Sequence, residues 1–246
     1  MSGEPIFEKL ETESAVDWCV NQIVDAIIDG RIKPGSRLPS EAGLAEQLGV
    51  GRNSVREAIK VLSAYGIVDQ RRTGGTFVYN RFNPKILNPL IYGIVIGDSA
   101  NEDLISLREI LEKGIIHLAI KNGTEEDYRK VKENLDRQKL LAEDPELTGD
   151  VFATIDIEFH ELICDCTHNK LLGQMFSTLN KIMRVSRRMT QTRLIRHGLI
   201  SYTLQAHEQL YNILIDGNDA DADSAVMYSL YEWQNSLEGR FEPPKN

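Results

Sequence analysis

The sequence has 246 residues, 41% apolar and 26% charged, which suits a globular protein of one large or two smaller domains. No apolar run approaches the roughly 20 residues of a membrane helix, the first ten residues hold no secretory core, and three cysteines (Cys19, Cys164, Cys166) are too few and too oddly spaced for a disulfide or zinc framework; a cytoplasmic protein with no membrane partner is expected. The formal charge of −9 is segregated: residues 31–80 hold eight basic and four acidic side chains, and the acidic excess lies on either side.

Residues 16–28 carry Val16, Val20, Ile23, Val24 and Ile27 at three- and four-residue spacing, an amphipathic helix ended by Gly30. Lys33-Pro34-Gly35-Ser36 reads as a turn. Ser40 is an N-cap for a short helix with Leu44, Ala45 and Leu48 on one face, stopped at Gly49. A third helix from about Arg52 to Tyr65 turns Val55, Ala58, Ile59 and Leu62 inward and ends at Gly66. Two strand-like runs, 67–70 and 76–79, flank a hairpin tip at 71–75. Residues 81–100, with two Asn-Pro pairs and Gly97-Asp98, read as a linker with room for one short helix. Beyond it the apolar period is helical throughout, with helices expected near 101–121, 124–142, 149–166, 169–196, 201–216 and 219–237. The expected fold is mostly α. A winged helix-turn-helix of three helices plus a β-hairpin occupies residues 1–80, and an all-helical bundle of six or seven helices occupies 101–240.

The third helix would enter a DNA major groove with its first turns at base edges. Arg52, Asn53, Ser54 and Arg56 stand there, and Arg52, Arg56 and Lys60 form a stripe opposite Val55 and Ile59. A guanidinium fork matches guanine O6 and N7, and an amide matches adenine N6 and N7. Arg37 precedes the second helix and suits a phosphate, while the tip Arg71-Arg72-Thr73-Gly74-Gly75 combines cations with little bulk, which suits a minor groove or a phosphate edge. Taken alone, a basic stripe is more often a solvated helix face; its combination with helix, turn, helix and basic hairpin points to DNA.

The runs 32–41 (IKPGSRLPSE), 48–58 (LGVGRNSVREA), 66–68 (GIV) and 74–78 (GGTFV) resemble the DNA-binding domain of the GntR superfamily over most of residues 15–79. The resemblance implies Arg52 and Arg56 as DNA contacts and places Gly74 and Gly75 at the minor groove. Two positions depart from it. Ala42 stands where many relatives place an operator-reading arginine, and Gly51 where they place Ser or Thr.

In the helical half, Asp156 and His160 are spaced i, i+4, so both leave one helix face and one divalent ion can take both. His207 on a later helix completes such a site if the bundle turns it inward. The alternative is a solvated carboxylate beside an unrelated histidine. The runs 108–112 (REILE), 156–160 (DIEFH), 168–172 (HNKLL) and 207–214 (HEQLYNIL) resemble the FCD effector domain of FadR-type regulators over roughly residues 100–237. In its metal-binding members an Asp, a His four residues on and two further His hold one cation, which implies Asp156, His160 and His207 here, with Zn²⁺ favoured and Ni²⁺ or Mn²⁺ possible. The fourth position falls near Ser229, an open coordination place or an effector contact. The resemblance also implies Arg108 as an inward arginine for a carboxylate; its alternative is a surface pair with Glu112. Arg184 and Arg188 make another i, i+4 pair, either a surface stripe or, through Arg188, part of the effector pocket.

The function expected is a transcription regulator, a repressor of a metabolic operon and not an enzyme. Its partners would be a palindromic double-stranded operator, a second copy of the chain and a small sugar-acid-like carboxylate. Two rivals stay open: a metal-independent regulator sensing a larger effector such as an acyl-CoA, and a metal-dependent hydrolase with a DNA-binding appendage. Neither an HExxH pair nor a nucleophile elbow supports the second.

Overall fold

The computed structural model describes residues 14–71, 73–87 and 100–237. The chain divides into two compact units, Met1–Pro89 and Leu90–Asn246.

In the first unit, α1 (Ala15–Ile28) starts at Ser14, whose hydroxyl accepts from Asp17 N–H at 3.1 Å. Helix α2 (Glu41–Leu48) is capped in the same way by Ser40, which accepts from Gly43 N–H at 3.1 Å. It ends at Gly49, whose φ of 69° is left-handed backbone that glycine adopts without strain. Helix α3 (Arg52–Ala64) follows with Gly51 as its N-cap and no side-chain cap bond, tolerable because glycine caps cost little. Val55, Ala58, Ile59 and Leu62 of α3 lie within 1% of full burial, packed with Cys19, Ile23, Leu38, Leu44 and Val68. Burial of these apolar side chains, not helix propensity, holds so short a helix pair in place.

Strands β1 (Val68–Arg71) and β2 (Gly75–Val78) pair antiparallel, Val68 opposite Val78 and Arg71 opposite Gly75. Both strands keep the expected length of four residues but lie one residue nearer the tip: Arg71 and Gly75, expected in the tip, belong to the ladder. The turn at 33–36 leads into a third edge, since Arg37 bridges Phe77 and Leu38 N–H reaches Thr76 O at 2.8 Å. Periodicity misses this edge because only a few residues take part. A 3₁₀ turn (Pro84–Leu87) lies within the expected linker, whose remaining residues 88–99 are outside the described residues.

The second unit contains α4 (Ala100–Asn122), α5 (Glu125–Ala142), α6 (Gly149–Asp165), α7 (Lys170–Arg196), α8 (Ile200–Asp216) and α9 (Ala222–Leu237). Helix α6 packs along α7 and α5, α8 lies against α5 and α9, and α4 closes on α9 and α6. Ile116, Leu135, Phe159, Phe176, Leu210 and Leu230 form the shared core. Gly149 lets α6 meet α7 closely: a Cβ there would stand 2.6 Å from the Cα of Thr192. Among the described residues no helix is long and apolar enough to cross a membrane.

Candidate functional site

On α3, Arg52, Asn53, Arg56 and Lys60 are all exposed and Ser54 is half-buried, while Val55 and Ile59 face the core. The expected cationic face therefore exists. Its charges are held lightly. Arg56 Nε lies 3.2 Å from Glu41 on α2, and Lys60 Nζ lies 2.8 Å from Glu57. Exposed pairs of this kind contribute about 0–1 kcal/mol and weaken with salt, so a phosphate can replace either carboxylate. Ala42 is exposed one residue beyond Glu41.

The wing is built around an arginine pair. Arg71 spans the Phe77 ring at 4.3 Å and reaches Asp69 at 3.2 Å. Arg37, exposed, crosses beneath Gly75: a Cβ on Gly75 would meet Arg37 Nε at 2.7 Å, and the φ of 91° there already favours glycine. Gly74 is half-buried against Phe77 and Arg71. Arg72, also expected at the tip, lies outside the described residues.

In the second unit, Arg108 of α4, Asp156 and His160 of α6, His207 of α8 and Ser229 of α9 all line one cavity. Arg188 does not reach it. It is exposed, as is Arg184, because both share the outer face of α7; Arg187, one residue or about 100° around the helix, points in and is 3% exposed. The inward stripe of α7 is polar: Asn180, Arg187, Thr190 and Gln191 stand at helical spacing with Met183 and Leu194.

Donor atoms of Asp156, His160 and His207 all lie within 4.8 Å of one another. His207 Nε2 is 3.2 Å and His160 Nε2 3.8 Å from Asp156 Oδ1. The far side of His207 is held by a hydrogen bond, as a metal-site histidine requires. Gln138 donates through Nε2 to Asn134 Oδ1 at 2.7 Å, so its Oε1 accepts from His207 Nδ1, also at 2.7 Å. His160 Nδ1 stands 3.5 Å from Glu112 Oε2. Phe159 stacks on the His207 ring at 4.1 Å. This set of one carboxylate oxygen and two imidazole nitrogens fits a divalent cation of the zinc type.

Two buried arginines balance the acids. Arg108 Nε donates to Glu112 at 2.5 Å, and Arg187 Nη1 pairs with Asp156. The pair between Arg108 and Glu112 is thus interior, where the spacing alone left a surface pair open. Burial alone would raise the Asp156 carboxyl; the Arg187 guanidinium overrides it and holds the group well below the usual carboxylate range. Glu112 is lowered in the same sense, burial being outweighed by Arg108 and Arg187. Burial pushes His160 down to about 3, so its ring is neutral and able to ligate. Sequence spacing did not point to Glu112, Gln138, Arg187 or Thr190 as part of the site. The signal available was the run of polar residues at inward helical positions.

A winged helix-turn-helix joined to a helical bundle with a buried, charge-lined cavity defines a class, the two-unit transcription regulator. The chain belongs to the gntR family of bacterial regulatory proteins, matched over residues 19–78, and carries an FCD domain, matched over residues 103–231. It is 29% identical over 220 residues to the HTH-type transcriptional regulator LutR of Bacillus subtilis (strain 168), covering 88% of this chain and 98% of that protein. It is 27% identical over 222 residues to the galactonate operon transcriptional repressor of Escherichia coli (strain K12), covering 88% and 94%. A protein of the same strain assigned to regulation of the L-lactate dehydrogenase operon is 28% identical over 225 residues, covering 89% and 84%. The solved Streptococcus agalactiae GntR shares the fold, with a TM-score of 0.56 at 21% identity over 90% of this chain and 99% of that one. The family and these relatives are transcription regulators, not enzymes.

Proposed function

We propose that this regulator is a cytoplasmic repressor of a metabolic operon that reads a palindromic operator as a homodimer and releases it on binding a small carboxylate. Arg52, Asn53, Ser54, Arg56 and Lys60 would meet the major groove, Arg37 and Arg71 the backbone, and the tip with Arg72, Gly74 and Gly75 the minor groove. In the helical unit Asp156, His160 and His207 would hold one divalent ion, most suitably Zn²⁺, with Ni²⁺ or Mn²⁺ as alternatives. A divalent ion held there would supply a positive centre for an anion in the cavity that Ser229 also lines. Arg108 and Arg187 line the same cavity and would orient that anion.

The observation that carries this reading is the buried triad whose donors lie within 4.8 Å, with His207 oriented from behind by Gln138. An acyl-CoA is a poorer occupant, because the cavity leaves only about 30 Å³ free. A hydrolytic centre is disfavoured by the family. Coupling between effector and operator is reciprocal: an acid that prefers the released form weakens DNA binding by the factor that DNA weakens its own.

The test has two arms. Protein purified without chelator or nickel resin should carry about one Zn²⁺, Ni²⁺ or Mn²⁺ per chain, lost in Asp156→Ala. Duplex selected from a random pool should then be released by at least one acid of a sugar-acid and short-acid panel in a retardation assay. Retention of DNA with every acid rejects the effector reading, and metal-free protein that still responds rejects the ion.

A further inference from the structure

Two buried polar atoms in the cavity wall have no hydrogen-bond partner among the described residues: Arg187 Nε and Thr190 Oγ1. Both residues are 3% exposed. They stand three positions apart on α7, so both side chains leave the same helix face. Burying a polar group without a partner is unfavourable, and such atoms are rare in folded proteins. In a cavity wall they mark where a ligand places complementary atoms.

The charged groups beside them are already engaged. Arg187 Nη1 is on Asp156, and its Nη2 lies 3.5 Å from Asn180 Oδ1 and 3.8 Å from Glu112 Oε1. Arg108 is bonded to Glu112. Thr203 lies 3.5 Å from Gln191 Oε1. What the α7 face of the wall offers an incoming molecule is one charged N–H, which suits an anionic oxygen, and one hydroxyl, which both donates and accepts. A carboxylate with a hydroxyl on the adjacent carbon presents that pair of oxygens.

Size and polarity narrow the class further. Leu194 and Ala206, 1% and 5% exposed, form the apolar part of the wall. The free volume of about 30 Å³ admits little beyond the ligand's head group without rearrangement. A long polyol tail would press hydroxyls against Leu194 and Ala206. A second carboxylate would find both lining arginines already paired to Glu112 and Asp156.

We infer that Arg187 and Thr190 are specificity-determining residues that select a compact 2-hydroxy monocarboxylate, the Arg187 Nε–H meeting a carboxylate oxygen and Thr190 Oγ1 the neighbouring hydroxyl. The inference rests on the reading that the helical unit binds a small carboxylate.

The test is calorimetric titration of the full chain in the presence of Zn²⁺ with the two lactate enantiomers, propionate, succinate and galactonate. The better lactate enantiomer should bind about 10- to 100-fold tighter than propionate, which lacks the hydroxyl. It should also bind tighter than galactonate or succinate. Thr190→Val, nearly isosteric, should bring the ratio of lactate to propionate affinity close to one, and Thr190→Ser should restore it. The melting temperature of each variant checks that it folds. Equal binding of lactate and propionate, an unchanged ratio in Thr190→Val, or tighter galactonate or succinate overturns the inference while leaving the carboxylate reading standing. Binding of none of the acids removes both.

Discussion

The two units treat charge in opposite ways. The DNA-binding unit has an apolar core from Cys19 to Val78 and carries Arg37, Arg52, Arg56, Lys60 and Arg71 at its surface. The helical unit buries Arg108, Glu112, Asp156, His160, Arg187 and His207 among its helices. Surface charge costs little stability and stays available to a polyanion, with an attraction that salt screens. Interior charge is costly unless each group is compensated, and is therefore tied to a fixed geometry. One unit is thus suited to a long, repetitive partner and the other to a small molecule with few atoms.

The largest effect should come from breaking the buried network. Arg187→Met leaves Asp156 without its main counter-charge and should cost the helical unit about 3–5 kcal/mol, read as a lowered urea midpoint. Adding Asp156→Leu should recover much of it. A loss below about 1 kcal/mol, the range of exposed pairs, would erase the contrast between the units. Gly149→Ala tests packing in the same unit. Its Cβ meets the Thr192 backbone, so overpacking of about 1–3 kcal/mol is expected by denaturant titration.

On the other side of the contrast, Arg52→Ala should weaken operator binding by about 1–3 kcal/mol, and Lys60→Ala should lower the salt slope of binding by about one. Neither should shift the melting temperature appreciably, because surface changes stay within about 0.5 kcal/mol. Acid is a finer probe. His160 stays neutral in the fold down to about 3, whereas it protonates near 6.5 when exposed. Between those values the unfolded chain binds the extra proton. Stability should therefore rise with pH through that window, by at most about 1.4 kcal/mol per pH unit from this residue. His160→Gln should flatten the slope in a pH series of urea melts. The smallest effect is expected from Arg188→Ala, whose exposed side chain should leave effector binding unchanged in calorimetry.

Secondary structure was largely legible because local signals agreed with the packing. Ser40, Gly49 and Gly66 punctuate the first unit, and the bundle helices start and end within about three residues of the positions their apolar period indicates. The wing was less so. Arg71 and Gly75 read as tip chemistry, but cross-strand pairing, which no local pattern encodes, draws them into the ladder. In the cavity, Asp156 and His160 were visible through their spacing on one helix. Arg187 was not, because adjacent arginines at 187 and 188 look alike until the phase of α7 is fixed by Met183 and Leu194. Gln138 was hidden for another reason: its role depends on a hydrogen bond across 69 residues of sequence.

The contact between Glu41 of α2 and Arg56 of α3 gives the proposed recognition helix an internal counter-ion. If Arg56 meets DNA as proposed, the duplex must first displace the Glu41 carboxylate from that guanidinium. An internal competitor of this kind would weaken binding to every sequence alike, and would leave discrimination to the proposed base contacts of Arg52 and Asn53.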